Sequence, residues 1–137
     1  MILLLFAAQA ASTAACADGR PVQGQDWTCP RSIYFDSGVV TEVRPEWNGV
    51  LDEVAVSLRQ GGGRVRLDSF SDRAGPRSSN RAVSAKRSET IRRALIHRGV
   101  SGSAIASVVH GEDGLPVPTP DGVREPQNRR VEITLLP

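Results

Sequence analysis

Rings are scarce in this chain. Six of its 137 residues are aromatic (three Phe, two Trp, one Tyr), too few to interleave stacking platforms with cations as a single-strand nucleic-acid binder does. Histidine occurs only at His97 and His110 and cysteine only at Cys16 and Cys29, and neither histidine has metal-ligand spacing to another histidine or to a cysteine. No P-loop, nucleophile elbow or pair of catalytic carboxylates stands out, so the residues argue against an enzyme and imply no metal and no cofactor. Lysine is nearly absent: sixteen of the seventeen cations are arginine. The apolar run at residues 2–8 falls well short of the ~20 residues that a membrane-spanning helix needs.

What is present suffices for one domain. A chain of 137 residues with 39% apolar content buries one sizeable core, not two. Residues 1–17, MILLLFAAQAASTAACA, join the apolar run to small residues with no charge before Asp18, the pattern of an export signal. Small-x-small patterns at 8–10 and 15–17 offer two cleavage points. Thr13-Ala14-Ala15-Cys16 is similar to a lipobox, with Thr13 in place of the usual leucine. Cys16 then has three fates: lipidation as the first mature residue, a disulfide with Cys29 after early cleavage, or loss with the signal. Residues 18–31 lack any period and carry glycines and prolines, so they read as an N-terminal arm or tether, with a folded domain over 32–137.

Within that domain the hydrophobic period alternates between strand and helix. Ile33-Tyr34-Phe35, halted by Asp36-Ser37-Gly38, suits a first strand. Pro45 fits a first helical turn, and Trp47, Val50, Leu51, Val54 and Leu58 form one apolar stripe that ends at Gly61-Gly62-Gly63. Val65, Leu67 and Ser69 alternate with Arg66, Asp68 and Phe70 as a second strand running to Asp72. A second helix follows over about 78–98, ending at Gly99. Residues 105–109 supply a third strand, 111–127 a Gly- and Pro-rich loop, and Val131, Ile133 and Leu135 a last strand. The order β-α-β-α-β-β implies an α+β fold, a two-layer sandwich with both helices on one face of a mixed sheet.

Formal net charge is only +2, yet arginines crowd residues 73–98, which a solvated helix face or an anionic partner would each explain. One of them is out of place. At about 100° per residue, Val83, Arg87, Ile91 and Ala94 fall within roughly 80° of arc, which puts Arg87 inside the greasy stripe of the second helix. A guanidinium does not lose its proton there and is costly to bury alone, so it needs a carboxylate or a pocket whose ligand supplies one. Asp72, at the end of the preceding strand where crevices open in layered α/β folds, is the natural neighbour. Spacing leaves two readings: a buried ion pair, or a site for a zwitterion whose carboxylate Arg87 grips and whose ammonium Asp72 accepts.

These residues also form a pattern. Ser71-Asp72, Gly75, Asn80, Val83, Ser84 and Arg87 match the spacing of TD, a glycine, then N-x-x-L-S-x-x-R. Tyr34-Phe35-Asp36-Ser37-Gly38, His110-Gly111-Glu112 and Gln127-Asn128-Arg129-Arg130-Val131-Glu132-Ile133 match three further motifs in order. From about residue 33 to 135 the chain resembles the OmpA C-terminal family, the peptidoglycan-binding domain shared with peptidoglycan-associated lipoproteins and flagellar stator proteins. The resemblance implies noncovalent binding of cell-wall peptidoglycan in the periplasm, with attachment to the outer membrane if Cys16 is lipidated. It implies that Asp72 and Arg87 grip the diaminopimelate of a stem peptide, that Asn80 and Ser71 support the ligand, and that Arg130, or Arg129, adds charge at the rim. Two positions depart from the pattern: Ser69-Phe70 replaces Gly-His or Gly-Tyr, with Phe70 expected to reshape the pocket, and Val83 replaces leucine. The alternative is an exported basic module for another anionic polymer or nucleic acid, which the scarcity of aromatics and the export signal oppose.

Overall fold

A computed structural model of the chain describes residues 30–136. The expected export signal, Cys16, Cys29 and nearly all of the expected arm lie outside the described residues. The elements are β1 (Arg31–Tyr34), α1 (Asn48–Gly61), β2 (Arg64–Phe70), α2 (Arg77–His97), β3 (Ile105–Gly111) and β4 (Arg130–Leu136), which is the β-α-β-α-β-β order that the alternating periods imply. The strands form one sheet in the order β1-β4-β2-β3. Parallel β2 and β3 pair Val65 with Ile105, while β4 runs antiparallel to both β2 and β1, pairing Ile133 with Leu67 and with Arg31.

Local chemistry sets the boundaries. Pro45 opens a 3-10 turn (Pro45–Trp47) that leads into α1, since its fixed φ suits a first turn and its missing N–H is needed by no carbonyl there. Gly62, at φ 67°, ends α1 by donating its N–H to Leu58 O at 3.0 Å, a left-handed stop that only glycine makes at no steric cost. Period-two alternation then sorts the sheet. Ile33, Val65, Leu67, Val131 and Ile133 point to one side, where they pack with Leu51, Val54 and Leu58 of α1 and Ile91 and Leu95 of α2 as a single buried core. Among the described residues, no helix is long and apolar enough to cross a membrane.

The inward stripe of α2 differs from the sequence reading. Val83 and Ala94 are only half-buried, and the fully covered positions are Asn80, Ser84, Arg87, Ser88, Ile91 and Leu95. Close approach explains the small side chains. A Cβ at Gly111, the last residue of β3, would come within 3.2 Å of the Arg81 backbone, so the N-terminal half of α2 has no room for leucine there. Ser84 fits, and its Oγ accepts the Gly111 N–H at 3.1 Å.

Candidate functional site

Beyond the strand end, the chain builds the far wall of this tight contact. Ser71 continues from β2, donates its N–H to Gly111 O at 2.8 Å and turns its Oγ onto Asp72 O at 2.9 Å. Asp72 follows at 7% exposure. Its Oδ1 accepts the Ala74 N–H at 3.2 Å, a local turn that aspartate favours. Its Oδ2 accepts Arg129 Nη1 at 3.2 Å.

Arg87 is 1% exposed, and of the side chains that are fully buried it is the largest. Its Nε donates to Val39 O at 3.1 Å and its Nη2 to Asp36 O at 3.2 Å, and its guanidinium lies 5.4 Å from the centre of the Phe35 ring. Arg87 thus straps the β1–α1 loop to α2, helped by Thr90, whose hydroxyl donates to Val40 O. Among the described residues no carboxylate makes an ion pair with it. Burial, then the like charge of Arg129, push the Arg87 pKa down to about 10, with the nearby Asp72 carboxylate acting the other way. The side chain is therefore still charged near neutral pH, in a place where its charge is under-compensated.

The other expected residues divide. Asn80 is buried, its Nδ2 donating to Gly75 O at 3.3 Å and to Glu112 Oε2 at 3.0 Å; Glu112 is itself buried and pairs with Arg77 Nε at 3.4 Å. Asn80 therefore ties the crossover from β2 to the end of β3. Of the two arginines offered for the rim, Arg129 is the one beside Asp72, and its Nε also donates to Phe35 O at 3.2 Å. Arg130 faces the opposite side of the sheet, donating to Tyr34 Oη at 3.3 Å and to Glu132 at 2.6 Å. Strand alternation carries the signal that separates them: with Val131 in the core, Arg130 must point outward and Arg129 back toward Asp72. Phe70 also lies away from Arg87, its ring stacked on His110 at 4.6 Å, with His110 Nε2 2.8 Å from Asp68 Oδ1.

Two guanidiniums, Arg87 and Arg129, thus lie near one carboxylate, Asp72, which among the described residues pairs with Arg129 alone. Such a cluster carries a net positive charge and leaves a second carboxylate to be supplied from outside. Among the described residues, no three His, Cys, Asp or Glu side chains gather as metal ligands.

Comparison with known proteins sets this geometry in context. Residues 34–129 match the model of the OmpA family. The chain is 35% identical over 103 residues to a peptidoglycan-associated lipoprotein of Pseudomonas putida, an alignment covering 74% of this chain and 61% of that protein. Its counterpart in Pseudomonas aeruginosa is 32% identical, with 74% and 60% covered. The chain therefore spans about three fifths of the length of these curated relatives. A crystal structure of the peptidoglycan-associated lipoprotein from Burkholderia pseudomallei superposes with a TM-score of 0.70 at 27% identity, covering 77% of this chain and 90% of that one. The C-terminal domain of Helicobacter pylori MotB, at 16% identity and a TM-score of 0.66 over 78% and 84% of the two chains, shares the fold. The strand and helix order, the motif spacing from Ser71 to Arg87 and a family match spanning both Asp72 and Arg129 lead to one conclusion: this chain belongs to the OmpA family.

Proposed function

We propose that this domain binds cell-wall peptidoglycan noncovalently in the periplasm, through the diaminopimelate of a stem peptide. A lipid on Cys16 would make it a tether between wall and outer membrane. The observation that carries the reading is Arg87, a buried guanidinium with no ion-pairing carboxylate among the described residues, near an Asp72 whose two carboxylate oxygens accept one bond each, from Ala74 N–H and Arg129. The free amino-acid end of diaminopimelate complements the cluster: its carboxylate answers Arg87 and Arg129, and its ammonium answers Asp72. Each shielded, charge-assisted contact contributes about 1.5–3 kcal/mol, so a single site binds weakly and a polymer compensates through many repeats at high local concentration. Ser71 and Asn80 hold the backbone around Asp72 and Gly75, and the rim is assigned to Arg129 in place of Arg130, the first candidate, because Arg129 is the one that pairs with Asp72. Relatives named peptidoglycan-associated lipoproteins support the same reading.

The polyanion alternative loses ground because many of the crowded arginines are already matched. Arg93 and Arg92 pair with Glu89, Arg98 with Asp52, Arg77 with Glu112 and Asp113, and Arg73 with Asp121. The test is co-sedimentation with purified sacculi for the parent, Asp72→Ala and Arg87→Met. The parent should pellet and both variants should stay in solution while remaining folded. Folded variants that pellet as well as the parent would refute the pocket, and a parent that does not pellet would refute peptidoglycan as the ligand.

A further inference from the structure

The loop at residues 112–125 joins β3 to the turn before β4 and has no secondary structure of its own. Loops of this length are uncommon in compact domains, and those that are ordered usually serve function. Here the order has two sources. Asn128, 0% exposed, pairs with Val117 through both ends of its amide: Oδ1 accepts the Val117 N–H at 3.0 Å and Nδ2 donates to Val117 O at 2.8 Å. The same Nδ2 reaches Thr119 Oγ1 at 3.2 Å. Arg73 holds the loop from the other side, its Nη1 donating to Thr119 O at 3.0 Å and its own carbonyl accepting the Gly122 N–H at 3.0 Å. Asp121 adds an ion pair at 3.6 Å.

The placement of these bolts matters. Arg73 directly follows Asp72, and Asn128 directly precedes Arg129, the two residues whose side chains meet at 3.2 Å. One loop is thus fastened to both sides of the ion pair, one residue away from each charge. Asp72 is bracketed by Ser71, tied to Gly111, and by Arg73, tied to the loop; Arg129 is bracketed by Asn128, tied to the loop, and by Arg130, tied to Tyr34 and Glu132.

We infer that Arg73 and Asn128 are positioning residues: by clamping residues 112–125 between them they fix the separation of Asp72 and Arg129 that a ligand with both charges must match. This rests on the peptidoglycan reading above. Charged recognition is sensitive to displacement, and a shift of about 1 Å in a supporting group is enough to lower productive contact substantially. The loop substitutes for secondary structure at the one place where neither β2 nor β4 reaches.

The test compares the parent with Asn128→Ala, Arg73→Ala and the control Arg124→Ala, an exposed loop residue with no hydrogen bond or ion pair to either bolt among the described residues. Binding of a diaminopimelate-containing stem tripeptide is followed by calorimetry well below each melting point. Hydrogen exchange of the Arg129 Nε–H is read by NMR without ligand. Expected are a fall in affinity on the order of tenfold for both bolt variants, accelerated exchange at Arg129, and no change for Arg124→Ala. If Asn128→Ala does not fold, Arg73→Ala, which keeps its main-chain bond to Gly122, carries the test. Bolt variants that stay folded and match the parent in both affinity and Arg129 exchange overturn the inference and leave the pocket standing. A parent that binds no tripeptide removes the ligand, and the exchange measurement alone then decides whether the clamp fixes Arg129.

Discussion

Helix α2 belongs to two different interiors. Its C-terminal half gives Ile91 and Leu95 to a core of apolar side chains that α1, β1, β2 and β4 also fill. Its N-terminal half gives Asn80, Ser84, Arg87 and Ser88 to a buried end that also contains Ser69, Ser71, Asp72, Glu112 and Asn128. The two halves are equally well covered but obey opposite rules. Burial of apolar area stabilises the first at roughly 25 cal/mol per Å² without regard to direction. In the second every group needs a partner in the right place, and each that lacks one opposes folding. A domain needing only stability would extend the first half along the whole helix. The second half is therefore where a function should be sought.

The largest expected effects separate the halves by what they damage. Leu95→Ala removes a fully buried side chain and should lower unfolding free energy by about 2–5 kcal/mol, read by urea denaturation, with sacculus binding by the remaining folded protein unchanged. Arg87→Met should do the reverse. It loses two charge-assisted bonds to loop carbonyls, worth about 1.5–3 kcal/mol each, but fills similar volume and removes a charge that burial disfavours by a comparable amount. Stability should thus move little while binding is lost. A variant at Leu95 that binds poorly when folded, or one at Arg87 that simply unfolds, would erase the division.

That division was only partly legible in the sequence. Strand and helix order could be read because Trp47 to Leu58 and Val131 to Leu135 follow clean periods, and period alone decides which face is buried. Arg87 is legible too, because a charge inside an apolar stripe needs either a carboxylate of the chain or a ligand that supplies one. Its partner was harder. Asp72 is near Arg87 in sequence, but the residue that pairs with it is Arg129, 57 positions away, brought there by β4 entering the sheet between β1 and β2. No local pattern encodes that adjacency; only the inward phase of Val131 hints at it. The phase of the stripe around Val83 is hidden for a related reason, because the closeness of α2 to Gly111 is a property of the packed pair.

Arg129 and its neighbour give an intermediate effect. Arg129→Ala should weaken sacculus binding by about tenfold, the loss of one charge-assisted contact at 1.4 kcal/mol per factor of ten. Arg130→Ala, on the far face with Tyr34 and Glu132, should leave binding within about twofold. Equal losses would mean that net charge rather than the Asp72 cluster governs attraction. Acidity is informative in one direction. A pKa lowered to about 10 leaves Arg87 protonated through neutral pH, so its contribution to binding is fully present there and is lost as pH rises through about 10. Binding by the parent should be flat around neutrality on this account and fall in strongly alkaline buffer.

The smallest expected effect probes whether the polar end is complete. Ser69 Oγ and Ser88 Oγ are buried with no hydrogen-bond partner among the described residues, one from β2 and one from α2. A hydroxyl withdrawn from water without compensation costs about 1–3 kcal/mol in proteins. Alanine leaves the apolar part of each side chain in place and, at position 88, also favours the helix by a few tenths of a kcal/mol. Ser88→Ala and Ser69→Ala should therefore each raise stability, by up to about 1 kcal/mol once lost packing around the oxygen is counted, with binding unchanged. Urea denaturation resolves a difference of that size. A loss of stability instead would mean that these hydroxyls are satisfied within the native fold, and that the polar end is as tightly matched as the aliphatic core beside it.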